Sequence, residues 1–387
     1  MLRHGRILLA AWLLLGAGCS METVRWFTTC TPCNNSGALT EGALYARDRN
    51  VQEQVTLALA KPGLLPEDDL LDVDIRLLRP MRPPGMDFLD PFFKDSLGSL
   101  RQAESYYLSE VLANKMQRSG HWGRVLVNPY GLSGADLEIS GRIEQSDGQM
   151  LRIRIEARDS TGASWLAKRY VQTLPPLAPR SGLEEVSFPF NDLLNAIAND
   201  LARVRAEELS SREIALLRNN SLLKFAAELA PAAYAPYRQD NTVLRLPAQD
   251  DPVFLGVQEI RVYNETFLDA MQAGQEFYAR QVAPDYLRFL DRSRQATQQI
   301  NDYYLEAADG RTNLNPDSKG NMNFGRYKGL YSVALADVNQ PIEERVTPVS
   351  VEFSDRSAEL TGTIEEQFRQ WQVILQDMYE TETGIAP

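Results

Sequence analysis

Apolar and polar positions alternate most clearly between residues 70 and 172. Leu71-Asp72-Val73-Asp74-Ile75-Arg76-Leu77 reads as a strand, and a loop carrying Pro80, Pro83, Pro84 and Pro91 follows it. Leu100, Ala103, Tyr107, Val111, Leu112 and Met116 then recur at helical spacing, which predicts an amphipathic helix over 97–118. Arg124 to Asn128 is the next strand. Alternation returns in Asp136–Glu144, Met150–Arg158 and Ala163–Val171, separated by the turns Ser146-Asp147-Gly148 and Asp159-Ser160-Thr161-Gly162. In the middle segment Leu151, Ile153 and Ile155 share one face, and Arg152, Arg154 and Glu156 the other. Turns this short predict an antiparallel meander with one buried face, which the helix at 97–118 must cover.

After Leu174-Pro175-Pro176 a second amphipathic helix is predicted over 189–209 from Phe190, Leu193, Leu194, Ile197, Leu201 and Val204. It lies beside the first helix or opens the next unit. Residues 211–306 read as mostly helical, with a short extended piece at Val243–Leu246. Pro252 opens a long helix that Pro284 is expected to break or restart. Strands are predicted at Tyr331–Ala336 and Val346–Phe353. Ile364, Phe368, Trp371, Leu375 and Met378 recur at intervals of three and four, so they line one face of a closing helix. That stripe is buried in its own domain or against a partner, and Trp371, Phe368 and Leu375 are its candidate interaction residues. The fold class expected is α+β: a small antiparallel-meander sheet covered by helices, then a mostly helical region, then a small α/β carboxy-terminal part.

The amino terminus has a different pattern. Arg3 and Arg6 precede the apolar run Ile7–Leu15, and Gly16-Ala17-Gly18 supplies the small residues that a signal peptidase requires. Cys19 follows directly. Small residues running into a cysteine resemble the bacterial lipobox, although Leu15 lies one residue further out than the usual leucine. The resemblance implies a diacylglycerol on the Cys19 thiol, cleavage before it, and acylation of the new amine. Two or more chains give stable anchoring, at about 0.8 kcal/mol per buried methylene. Ser20 at the next position suggests the outer membrane under the enteric sorting rule. No other cofactor is expected. The apolar run is too short to span a bilayer.

The organisation expected is a signal peptide at 1–18, a lipidated tether with a helix at 19–60, and an α/β domain at 61–210. A helical region at 211–310 and carboxy-terminal strands and helix at 311–387 follow. The helix in the tether draws on Ala43, Leu44, Val51, Val55, Leu57 and Leu59, with Pro62-Gly63 ending it.

Charge and composition narrow the chemistry. A net charge of -12 argues against a nucleic-acid partner. It also implies that an acidic domain gains nothing from anionic lipid, leaving anchoring to the lipid chains. There are 2 histidines, and His4 leaves with the signal. Histidine zinc sites are thereby excluded, and a Ser-His-Asp triad would have to use His121, which reads as a turn residue near Trp122. No phosphate-loop or nucleophile-elbow motif is present, so neither catalytic nor metal residues are assigned. Cys30 and Cys33 form C-T-P-C, a candidate disulfide in an oxidising compartment; a thioredoxin-type redox pair would need a βαβ context. Asn313, Asn315 and Asp317 alternate as calcium ligands do, but the glycine falls late, at Gly320, and Phe324 stands where the bidentate acid belongs. That stretch reads as a polar loop.

The run Leu97–Val171 resembles the α/β domain of bacterial envelope lipoproteins: the TolB amino-terminal domain, CsgG, FlgO and the auxiliary lipoproteins of ABC-type transporters. The residues that carry it are the helix before Gly120-His121-Trp122, the strand Val125-Leu126-Val127, Ala135-Asp136-Leu137-Glu138-Ile139-Ser140-Gly141, and Asp159-Ser160-Thr161-Gly162 before Trp165. The resemblance implies an assembly or docking part, not an enzyme. The function expected is therefore a lipid-anchored, periplasm-facing component of a secretion, transport or wall complex with envelope protein partners. Two alternatives stand beside it. One is a carboxylate-based enzyme acting on glycans, since that chemistry needs no histidine. The other is a pore-forming subunit, against which the meander face carrying Arg152, Arg154 and Arg158 argues.

Overall fold

The computed structural model describes residues 49–51, 58–61, 65–81, 90–132, 134–175, 188–239, 242–248, 250–308, 348–353 and 356–384. The signal segment, Cys19, Cys30, Cys33, the calcium-like run and the strand expected at 331–336 lie outside them.

Seven strands make one mixed sheet: β1 (Arg49–Val51), β2 (Val73–Ile75), β3 (Arg79–Pro80), β4 (Val125–Val127), β5 (Leu137–Ser146), β6 (Met150–Asp159) and β7 (Ser164–Thr173). Their order is β1-β7-β6-β5-β2-β4, with β3 beside β5. β5, β6 and β7 form the expected antiparallel meander. The meander is not the whole sheet, however. β1 runs parallel to β7, and β2 runs parallel to both β4 and β5. Parallel partners are joined by crossovers, so alternation along the chain cannot reveal them. Residues 49–51 are strand, where the 39–60 pattern suggested helix, because they find ladder partners on β7.

The expected strand Leu71–Leu77 is interrupted. β2 stops at Ile75 and β3 resumes at Arg79, both against β5. Between them Leu78 N–H bonds Ser109 Oγ at 3.0 Å, and Ser105 Oγ donates to Leu78 O at 2.7 Å. Two serines of the helix α1 (Asp90–Ser119) thus satisfy backbone that the ladder leaves unpaired.

The inner sheet face holds the first core. Val73, Ile75, Ile139, Leu151, Ile153 and Ile155 pack against Leu108, Leu112 and Met116 of α1. Leu193, Ile197 and Leu201 of α2 (Asn191–Glu208) join the same cluster, so the second helix lies beside the first. This burial leaves the apolar meander face no access to lipid.

The second core lies on the other side. Val125 and Val127 of β4 belong to the first core, and Leu126 between them to the second. Ile260, Phe267 and Met271 of α4 (Pro252–Ala308) contribute to it, as do Val351 of the hairpin β8 (Val349–Phe353) and β9 (Arg356–Leu360), and α5 (Ile364–Thr383). β9 was not legible in the sequence: Ser357 and Glu359 point outward, and it has few apolar positions. Thr363 and Glu366 form a capping box that starts α5.

The helices that follow residue 211 contribute to both cores. In α3 (Ser211–Leu229), Ile214 and Leu217 pack in the first core, Leu223 and Phe225 in the second. α4 has 57 residues, about 85 Å at 1.5 Å per residue, and runs through both. Its Tyr286, Phe289 and Leu290 enter the first core, where Tyr286 Oη donates to Glu104 Oε1 at 3.1 Å. Pro284 does not break it. The proline is exposed, between the buried Val282 and Tyr286. The carbonyl it leaves unpaired, on exposed Arg280, faces water, and packing on both sides offsets a cost of about 3 kcal/mol.

Trp371, Phe368 and Leu375 are each 1% exposed, inside the second core. α5 therefore spends its apolar stripe within the chain. These three are core residues, not an interaction surface.

Candidate functional site

Over β5, β6 and β7 the outer sheet face belongs to neither core and carries charge. Cross-strand register sets four arginines side by side: Arg79 opposite Arg142, Arg142 opposite Arg154, and Arg154 opposite Arg169. Like charges directly opposite destabilise a sheet. At one end the row is neutralised, because Glu144 takes the Arg169 guanidinium in two bonds of 2.5 and 3.1 Å. Arg154 pairs with Glu156 at 3.2 Å. Arg79 and Arg142 are exposed and have no ion-pair partner among the described residues.

That unneutralised end lines a cleft of about 620 Å³, with Arg76, Glu138, Ser140 and Glu156 on its floor and Pro129 and Tyr130 in its wall. The wall is built from the sequence upward. Asn128, fully buried, donates to Asp74 Oδ2 at 2.8 Å, and its Oδ1 accepts Gly131 N–H at 2.8 Å, closing the turn Asn128–Gly131. A Cβ on Gly131 would lie 2.6 Å from Asn128 Oδ1 and 2.8 Å from Phe368 Cε1, so only glycine lets the turn sit on α5. Arg76 donates to the carbonyls of Asn128 at 2.8 Å and Gly131 at 3.2 Å, and pairs with Glu138 at 3.0 Å. Tyr130 meets Phe368 edge-on at 6.0 Å, and its carbonyl accepts from Gln372 Nε2 at 2.9 Å. The first core thus holds the arginines and the second holds the wall.

Buried carboxylates lie behind the cleft and between the cores. Burial raises Asp74, against the lowering effect of Arg76 and Asn128. Burial also lifts Asp136 to about 6, although Ser221 Oγ donates to it at 2.7 Å. Glu110 of α1 accepts from Gln272 of α4 at 2.9 and 2.8 Å and from Asn114 at 2.7 Å. Its pKa is pushed up to about 7, first by burial and then by Glu276, with Gln272, Asn114 and Arg280 opposing.

An acid raised in the folded state keeps its proton longer there, so its stabilisation is full below the unfolded value and lost as pH rises through the folded one. The thermal midpoint should therefore fall between about pH 5 and pH 8, and Glu110→Gln should flatten that slope. Equal slopes for the two proteins would contradict the assignment. His121, lowered by burial and by Arg205, acts in the opposite direction in both.

His121 itself is buried at the end of α1, beside the backbone of Ala60, which opposes the lowering. Of the cleft residues, sequence reading placed Arg154 and Glu156 on the outward face. Arg79 and Arg142 went unnoticed because their juxtaposition depends on β3 pairing with β5, and Tyr130 because its turn is seated against α5.

Comparison with protein families, with characterised proteins and with solved structures finds no match to this chain.

Proposed function

We propose that the chain is a lipid-anchored, periplasm-facing envelope lipoprotein, a non-enzymatic docking or assembly component of a secretion, transport or wall complex at the outer membrane. The observation that carries this reading is the pairing of a lipobox-like leader ending in Cys19 with a folded body whose two cores leave one charged sheet face open. The resemblance of residues 97–171 to the TolB, CsgG and FlgO lipoprotein domains supports it. No described helix is long and apolar enough to cross a membrane; in this reading the anchor is the lipid on Cys19. The body's net acidity does not extend to every surface. The arginine row gives the protein a positively charged face that overall charge conceals.

Cys19→Ala should leave uncleaved precursor or release the body to the periplasm, read by fractionation and by loss of labelled fatty acid. A variant that still fractionates as a processed outer-membrane protein would contradict the anchor.

A second reading, hydrolysis of a glycan, draws on Glu138 and Glu156 in the same cleft. Glu156 lies opposite Ser140, which makes it the diagonal neighbour of Glu138, with strand positions about 7–8 Å apart. Inverting glycosidases separate their carboxylates by about 6.5–9.5 Å. Here both are engaged by guanidinium groups, which suits hydrogen-bond acceptors better than a proton donor. Release of reducing sugar by the purified chain, abolished by Glu156→Gln, would promote this reading over the first.

A further inference from the structure

We infer that the cleft between β3, β5, β6 and the Asn128–Gly131 turn is a binding site for an anionic sugar, a saccharide bearing carboxylate or phosphate groups. The inference rests on the docking reading and deepens it, by naming what the open face holds. Arg79, Arg142 and Arg154 stand on adjacent strands, about 4.8 Å apart. Their mutual repulsion is balanced at the Arg169 end by Glu144 and left unbalanced at the cleft. An oxyanion between Arg79 and Arg142 would complete the charge pattern, with guanidinium forks suited to carboxylate or phosphate oxygens. Arg76 is already fixed by two carbonyls and Glu138, so the floor is organised before any ligand arrives.

The lining also separates ligand classes. Glu138 and Glu156 share the cleft with the arginines. A bare polyanion would be repelled by both carboxylates. A sugar acid offers hydroxyl donors to them and oxyanions to the arginines. Ser140 adds a hydroxyl, and Tyr130 gives the wall an aromatic ring of the kind on which sugar faces rest. A volume of about 620 Å³ suits a short saccharide, within the range of about 300–1,000 Å³ for small-molecule sites.

Titration calorimetry of the full lipidated chain in detergent tests this, with tetragalacturonate as the probe, maltotetraose as its neutral counterpart and pyrophosphate as a bare polyanion. Tetragalacturonate should bind and maltotetraose should not. The double variant Arg79→Ala/Arg142→Ala should weaken binding about tenfold or more, and Arg142→Lys, which keeps charge but loses the fork, should weaken it by less. Arg158→Ala, on the same face but outside the cleft lining, should stay within about twofold. Failure of tetragalacturonate to bind, undiminished affinity in the double variant, or equal affinity for pyrophosphate would each overturn the assignment. Such a failure leaves Cys19-dependent fractionation untouched, so the two readings fail separately.

Discussion

Trp371→Ala should lower the stability of the protein by about 3–5 kcal/mol, read by urea or thermal unfolding. The side chain is 1% exposed and central to the second core. Its ring stacks on Phe267, with centroids 4.9 Å apart and planes at 20°, and meets Phe353 edge-on at 5.8 Å. Nε1 donates to Asn264 Oδ1 at 3.1 Å across to α4. Truncation removes the stack, leaves a cavity, and strands a buried amide oxygen, and these costs add. Trp371→Phe restores most of the volume but not the hydrogen bond, so it should fall between. Because Phe368, one turn earlier, backs Tyr130, the alanine variant should also loosen the cleft wall. A variant that melts like wild type would show that α5 is not held as described.

Ile153→Asp should abolish the first core, with a loss of more than about 4 kcal/mol visible as lost cooperativity in circular dichroism. Ile153 is 0% exposed on the central meander strand, opposite Ile143 on one side and Tyr170 on the other. An aspartate there is a charge without a partner in an apolar layer. Arg154→Asp, one residue along, should cost only about 1 kcal/mol, since it faces water and forfeits a partly exposed ion pair with Glu156. Equal tolerance of the two substitutions would mean that the register is wrong by one residue.

Most of the first core was legible because strand and helix periods differ, and because Gly148 and Gly162 punctuate the meander. Both glycines take positive φ, 78° and 85°. At Gly148 a side chain would also collide with the Leu290 carbonyl of α4, a contact no local pattern reveals. What stayed hidden depends on long-range pairing. The parallel neighbours of β2 and β7 leave no local signature, and Pro284 signals a break that packing on either side overrides. The closing helix was read correctly as an amphipathic stripe, but whether Trp371 faced the chain or a partner required knowing where α4 runs. The cleft was half legible. Alternation placed Arg154 and Glu156 outward, whereas Arg79 lies after an interruption that two serines of α1 stabilise. The anchor belongs to sequence alone, since Cys19 lies outside the described residues.

The central claim joins that anchor to the open face, and in-cell photocrosslinking tests the two together. Tyr130, 38% exposed in the cleft wall, and Val373, 65% exposed on α5, are each replaced by benzoylphenylalanine in separate strains. The account predicts adducts with envelope components from position 130 in the membrane fraction, lost when Cys19→Ala is added, and few from position 373. Adducts of equal yield from both positions, or none from position 130 in cells that carry the anchored protein, would contradict it.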